Sequence, residues 1–372
     1  DAVWTERQLV SAINKSALEP ASGVVGNGTA LVIGRDITLN TAGSIGSLAP
    51  DVQVALSDIR NGTISNAQLA ALAVATTAGS VKIIGQRQDG SLIEVTDLNN
   101  VPVGVTLSRV DVKQTAPLFI NASGTFSGSA QGDVYIQATG TPQAAGGTPT
   151  IGRITATGTV SLQAPQSIAV GTQADGTTPR SPVQIQTGGD LVLVAGGGSI
   201  GSAATPLTYQ IGGRLVSASA AAGDVHLVAK GGDAQIGRVF ASGTASLTAI
   251  EGGIQGYLPG VAISARSILL NATGNAGSAS ARLGLQVGAT GEVSGQIGGS
   301  AWLSAPAVGG QPATPLRIGE FSATNGVDVT ADDEIRILRN LRSSNGAVSV
   351  NGNRIAMASG ADLAGAGPVS LA

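Results

Sequence analysis

Residues 188–249 read GGDLVLVAGGGSIGSAATPLTYQIGGRLVSASAAAGDVHLVAKGGDAQIGRVFASGTASLTA, and this stretch decides the fold. Asp190 and Asp224 each open a short run in which apolar residues alternate, Leu191/Leu193 and Val225/Leu227, before a glycine-rich break. Alternation at period 2 places one set of side chains on one face of a strand. The glycines end each strand in a turn. The same figure recurs in RDITLNTAGSIG at Asp36 and in GDVYIQATG at Asp133.

A slower beat runs through the chain. TIGRITATGTVSLQA, QIGRVFASGTASLTA and RIGEFSATNGVDVTA carry Ile151, Ile236 and Ile318, 85 and 82 residues apart, and QIGG recurs with Ile211 and Ile297, 86 apart. Short strands in tandem near-copies with no linker favour continuous stacking over a closed sandwich. The expected fold is all-β, a right-handed parallel β-helix. With rungs of about 20 residues, an 83-residue copy holds about four rungs, and the whole chain makes a rod of about 18 rungs and roughly 90 Å. Residues 1–30 are expected as an N-terminal helix and lead-in, and 31–372 as one continuous repeat region.

Composition agrees. The 372 residues include 55 glycines, 2% aromatic and 12% charged residues, which suits a narrow core of Val, Ile, Leu and Ala. Mean hydropathy of +0.26 and a net charge of −3 exclude a disordered chain. The longest apolar run, Leu69 to Ala75, is far short of the ~20 residues a membrane span needs. Balanced charge, 20 basic against 23 acidic residues, argues against nucleic acid as a partner. The absence of cysteine excludes disulfides and thiolate metal sites and suits export unfolded.

The run over residues 186–275, with its Gly-Asp, alternation, Gly-x-Ile-Gly order, resembles the repeat region of large bacterial exoproteins of the filamentous-haemagglutinin type. The resemblance implies a secreted β-helical shaft that serves adhesion, aggregation or biofilm matrix at the cell surface or outside the cell. Its partners are then adjacent repeats of one long chain, further copies associating end to end or laterally, and surface or matrix polysaccharide. The alternative is a β-helical protein that binds or cleaves polysaccharide. Val369 and Leu371 begin another strand without an atypical polar cap, so the chain is expected to be a fragment of a longer shaft.

Residue by residue, the structural expectations are these. Asn40, Asn121 and Asn271 occupy one point of the pattern and read as turn residues, or as an inward amide ladder. Gly46, Gly152, Gly201, Gly237 and Gly319 follow marker isoleucines and read as turn glycines. Ser65/Gln68 and Thr5/Gln8 have capping-box spacing, which predicts short decorating helices at 64–76 and near the start. No catalytic, cofactor or metal residue is expected. His226 alternates outward beside Asp224 as a solvated pair, and the Asp332-Asp333-Glu334 cluster reads as a charged bulge neutralised by Arg336, Arg339 and Arg342. Trp4, Trp302, Tyr135, Tyr209 and Tyr257 look too scattered to line a sugar groove.

Overall fold

The computed structural model describes residues 2–3, 32–55, 81–88, 90–94, 103–139, 148–307 and 314–372. The helices expected at 64–76 and near the start lie outside these residues. Among the described residues there are strands and no helix. The chain forms two compact units, one built mainly of 28–45 and 119–372, the other of 7–27 and 46–118.

The larger unit is a β-solenoid of about 10 turns, here called rungs. Every strand pair in it is parallel, and the strands form two stacks. The first sheet runs from Ile37–Thr41 through Thr125–Ala130, Thr150–Ala156, Ile185–Thr187, Leu207–Ile211 and Val225–Ala229 to Leu363–Gly365. The second runs from Val134–Ala138 through Val160–Ala164, Leu191–Ala195 and Leu215–Ala220 to Val369–Leu371. Strand Ala234–Ala249 bends to serve both sheets. At about 4.8 Å per rung the stack is roughly 48 Å long.

Rungs vary in length. Val225, Ala245, Ile268, Val293 and Ile318 lie one above another, separated by 20, 23, 25 and 25 residues, and Val160 to Leu191 takes 31. The Ile-Gly beat is therefore not a whole number of rungs. Ile151 pairs in the first sheet, Ile236 in the second and Ile318 in the first again, so each of these copies advances three and a half rungs, whereas the QIGG strands ending at Ile211 and Ile297 both lie in the first sheet, four whole rungs apart. The expected 18 rungs and unbroken run over 31–372 are corrected too. Many rungs are longer than 20 residues, and part of the chain outside the stack forms a separate antiparallel sheet. Its strands are ordered Ser47–Ala55, Val105–Ala116, Val81–Arg87, Leu92–Glu94, with Gly90 at φ 83 closing the last hairpin.

Inward positions stack like on like: Leu227, Leu247 and Leu270 follow one another, all buried. Two of the core rings take their room beside glycine. Phe321 sits directly over Gly295, whose φ is 153 and where a Cβ would lie 1.8 Å from the Leu270 carbonyl oxygen. Phe126 lies beside Gly128, where a Cβ would meet the Phe126 ring at 3.4 Å.

The marker glycines divide into two kinds. Gly46 and Gly201 have φ of 75 and 64 and are true left-handed turn positions. Gly152, Gly237 and Gly319 are not turns; they lie inside Thr150–Ala156, Ala234–Ala249 and Leu316–Ala323. There the strand rounds a corner, and a Cβ would strike Ser127 Oγ at 2.5 Å, the Val216 carbonyl oxygen at 2.5 Å, or Glu292 Cδ at 2.6 Å. The asparagines are corrected likewise. Asn40, Asn121 and Asn271 are strand residues that alternate with buried neighbours and point outward, so they form neither turns nor an inward ladder. Asn271 Oδ1 accepts the Gln296 amide of the next rung at 3.2 Å.

Candidate functional site

The aspartates of the repeated motif have one job. Each stands at the corner before a strand, and its Oδ1 accepts a backbone N–H from the rung above: Asp36 from Thr125 at 2.8 Å, Asp133 from Thr159 at 2.6 Å, Asp190 from Arg214 at 2.8 Å and Asp224 from Thr244 at 2.6 Å. Asp233 and Asn275 repeat the clasp to Gly253 and Ser300. The residue before the donor is glycine in every case named, and at Gly252-Gly253 the donor is itself glycine. A Cβ at Gly124, Gly158, Gly213, Gly243 or Gly299 would fall within 2.6 Å of the clasping oxygen. The Thr125 N–H holds the Asp36 carboxyl below its usual range. Above each acid stands Thr, Arg or Gly, so no carboxylate faces another across these clasps.

Asp133 and Asp224 are each followed two residues later by a ring, Tyr135 and His226. Both rings alternate outward, yet both are buried, at 8% and 9% exposure. His226 is thus not the solvated residue expected; its Nε2 lies 3.8 Å from Asp224 Oδ2, whose carboxylate already holds Thr244. Burial, with help from Asp133, pushes the Tyr135 phenol up to about 12. Burial likewise raises Tyr209 and Tyr257.

The acidic cluster is divided among partners. Asp332 Oδ2 accepts the Ala307 amide at 2.8 Å, and Glu334 is buried with Arg336 at 2.7 Å and Arg354 at 3.5 Å. The hydrogen bond from Arg336 holds the Glu334 carboxyl below its ordinary range, the reverse of what a general acid needs. Arg339 instead reaches Glu292, and Arg342 reaches Asp362. Among the described residues no group of acids and histidines is arranged to hold a metal ion. No helix among them is long and apolar enough to cross a membrane.

Aromatic residues are where folding changes the sequence picture. Phe126, Tyr209 and Phe321 enter the core. Phe240 and Trp302 project from the second sheet, and Tyr257 stands on a loop that interrupts it. Three strand-to-strand steps separate the rung of Phe240 from that of Trp302, and the registers set Trp302 about four residues along the strand from the Phe240 column. Phe240 is 44% exposed. Arg214 lies over the Tyr257 ring, 4.6 Å from its centroid, while Asp190 and Arg214 flank that phenol with opposite charges. Asp328 is the partner of Trp302 in the next strand and is bridged at 2.6 Å by Arg282 from two rungs away. Sequence reading missed the outward placement of these rings because it weighed them by their separation in sequence and overlooked Phe240.

The fold and its outer face define a β-solenoid repeat protein. No protein-family model, curated protein or solved structure matches the chain.

Proposed function

We propose that this chain is structural shaft from a secreted bacterial surface adhesin or biofilm-matrix protein of the filamentous-haemagglutinin type, mediating adhesion or aggregation. The observation that carries the reading is the clasp. The motif acids, which an enzyme would direct at a substrate, bind the backbone of the next rung from Asp36 to Asp233. A fold whose recurrent polar chemistry serves stacking is suited to reach and rigidity. The resemblance over 186–275 and the absence of cysteine support the same reading. Association of shafts end to end or side by side belongs to it as well.

The test is location and loss of function in the source cell. Antibody against the purified chain is expected to label intact cells, and deletion of its coding segment to reduce attachment or aggregation. Labelling only after permeabilisation overturns the proposal. So does depolymerisation of a polysaccharide by the purified chain that is abolished in Glu334→Gln.

A further inference from the structure

We propose that the solenoid wall carries a recurrent exit at which polypeptide modules are inserted, and that the antiparallel sheet is one such guest, separable in folding from the stack that carries it. Three excursions leave the wall through the same figure. Each begins at a buried residue held by a single parallel bridge to the rung above: Ile45 to Val134, Ile200 to Val225 and Ala276 to Ala301. A glycine follows with φ of 75, 64 or 70, Gly46, Gly201 or Gly277, and then a serine. A Cβ at Gly201 or Gly277 would strike the carbonyl oxygen of His226 or Trp302, so the chain turns outward where only glycine fits. It returns at a buried leucine that opens the next strand, Leu118, Leu207 or Leu283. Leu207 and Leu283 lie opposite Leu227 and Leu303, and the bond from the Thr139 N–H to the Ile120 carbonyl sets Leu118 opposite Ile136. The rung above therefore spans each gap with one residue, and that residue is a ring: Tyr135, His226 or Trp302. Its N–H holds the near lip, donating to the carbonyl of Ile45, Ile200 or Ala276 at 2.8, 2.8 or 2.7 Å.

What differs among the three is the length of the excursion beyond a common neck. The neck is a facing pair, the serine after the glycine and the residue two before the leucine. Ser202 N–H donates to the Thr205 carbonyl at 3.1 Å and Ser278 N–H to that of Ala281 at 2.9 Å, while Ser47 and Ala116 are the first pair of the antiparallel sheet. Two exposed residues close each short neck, Ala203 and Ala204 or Ala279 and Ser280; at the same place residues 48–115 build the sheet. The flanks agree as well, since Gly46-Ser47 and Ala116-Pro117-Leu118 match Gly201-Ser202 and Thr205-Pro206-Leu207. Facing residues of antiparallel strands stand about 5 Å apart. One bridging residue leaves a gap of about 6.6 Å between the lips. A module whose first and last strands pair thus enters without spreading the wall. Closure cost rises only with the logarithm of length, so a guest in place of two residues weighs little on the stack.

Excision and insertion in the whole chain test this, read by circular dichroism melts. Replacing residues 48–115 with Ala-Ala, the tip that Ala203 and Ala204 supply, should leave the stack melting cooperatively within about 5 °C of the parent. A Gly/Ser-rich segment of about 20 residues carrying an antibody epitope, substituted for Ala203 and Ala204 or for Ala279 and Ser280, should be tolerated to the same degree, and the native chain should bind the antibody. The control places that segment between Gly212 and Gly213, a corner whose N–H groups bond Thr187 and Gly189 and which leads into the Asp190 clasp. There the midpoint should fall by more than about 10 °C. Equal losses at exit and corner overturn the exit, and so does a substituted exit whose epitope is reached only after unfolding. A stack that no longer melts cooperatively after excision overturns the separability of the sheet. None of these outcomes touches the shaft reading, which rests on cell-surface location.

Discussion

The pairing of Asp224 with Gly243 allows the clasp to be tested as a coupled unit. The Asp224 side chain is 44% exposed, so losing its bond to the Thr244 amide in Asp224→Ala should cost about 1.5 kcal/mol, the low end for a charged acceptor. Gly243→Ala places a methyl 2.1 Å from Asp224 Oδ1 and must expel the carboxylate, losing the same bond and adding strain, about 2–3 kcal/mol together. Once Asp224 is alanine, the nearest remaining atom to that methyl is the Gly223 carbonyl oxygen at 3.5 Å, an ordinary contact. No left-handed φ opposes alanine at Gly243. The double variant should therefore cost little more than Asp224→Ala alone, a coupling of about 2 kcal/mol. Urea midpoints at constant m measure it, and exchange of the Thr244 amide reports the same loss locally. Asp224→Asn should stay near wild type, because Asn275 already makes the clasp with an amide oxygen. A neutral Gly243→Ala, or equal costs in both backgrounds within about 0.5 kcal/mol, would refute the reasoning.

Two further outcomes follow from the core and the ionisable groups. Phe321→Ala should lower stability by about 3–5 kcal/mol, since Gly295 beneath it offers no side chain to fill the space, and thermal or urea unfolding checks this. Stability should also fall at both ends of the pH range. Asp36 and Glu334 are held below their ordinary values of 3.8 and 4.5, so what they contribute is complete above those values and lost as pH falls through the lower folded ones. The three tyrosines are raised above 10.0, so the folded state resists phenolate and loses stability as pH climbs past that value. Circular dichroism melts from pH 2 to 12 check both arms, and a curve flat below pH 4 would contradict the first.

How much was legible follows from which signals are local. Alternation in GGDLVLVA is a property of one strand, and it located Leu191–Ala195 and its neighbours as parallel stacked strands. Rung length is not local, because loops of different size can be inserted without disturbing the inward columns; Ile200 and Leu207, seven residues apart in sequence, serve one rung where Val225–Ala229 runs unbroken. A period taken from Ile-Gly markers thus counted corners. The asparagines were misplaced because Asn is common in turns, whereas here it fills outward strand positions. His226 was placed on the correct side of its strand, but burial depends on what covers that side, which alternation does not record. The Asp89-Gly90 signal of the antiparallel hairpin was present in the sequence and was passed over among so many glycines.

The advance of three and a half rungs per near-copy has a consequence for how such a chain lengthens. Recombination between the similar segments at Ile151 and Ile236, or Ile236 and Ile318, would add or remove an odd number of half rungs. Because both sheets bury Val, Ile, Leu and Ala in the same alternation, the stack would still close. Everything downstream, however, would emerge turned by half a circumference, with first-sheet residues now continuing the second. A single duplication would carry the outward-facing Phe240 and Trp302 to the opposite flank of whatever precedes them, and a second would bring them back. Length and facing are thus coupled by parity in this molecule, so that copy number sets which side of the rod a given surface presents.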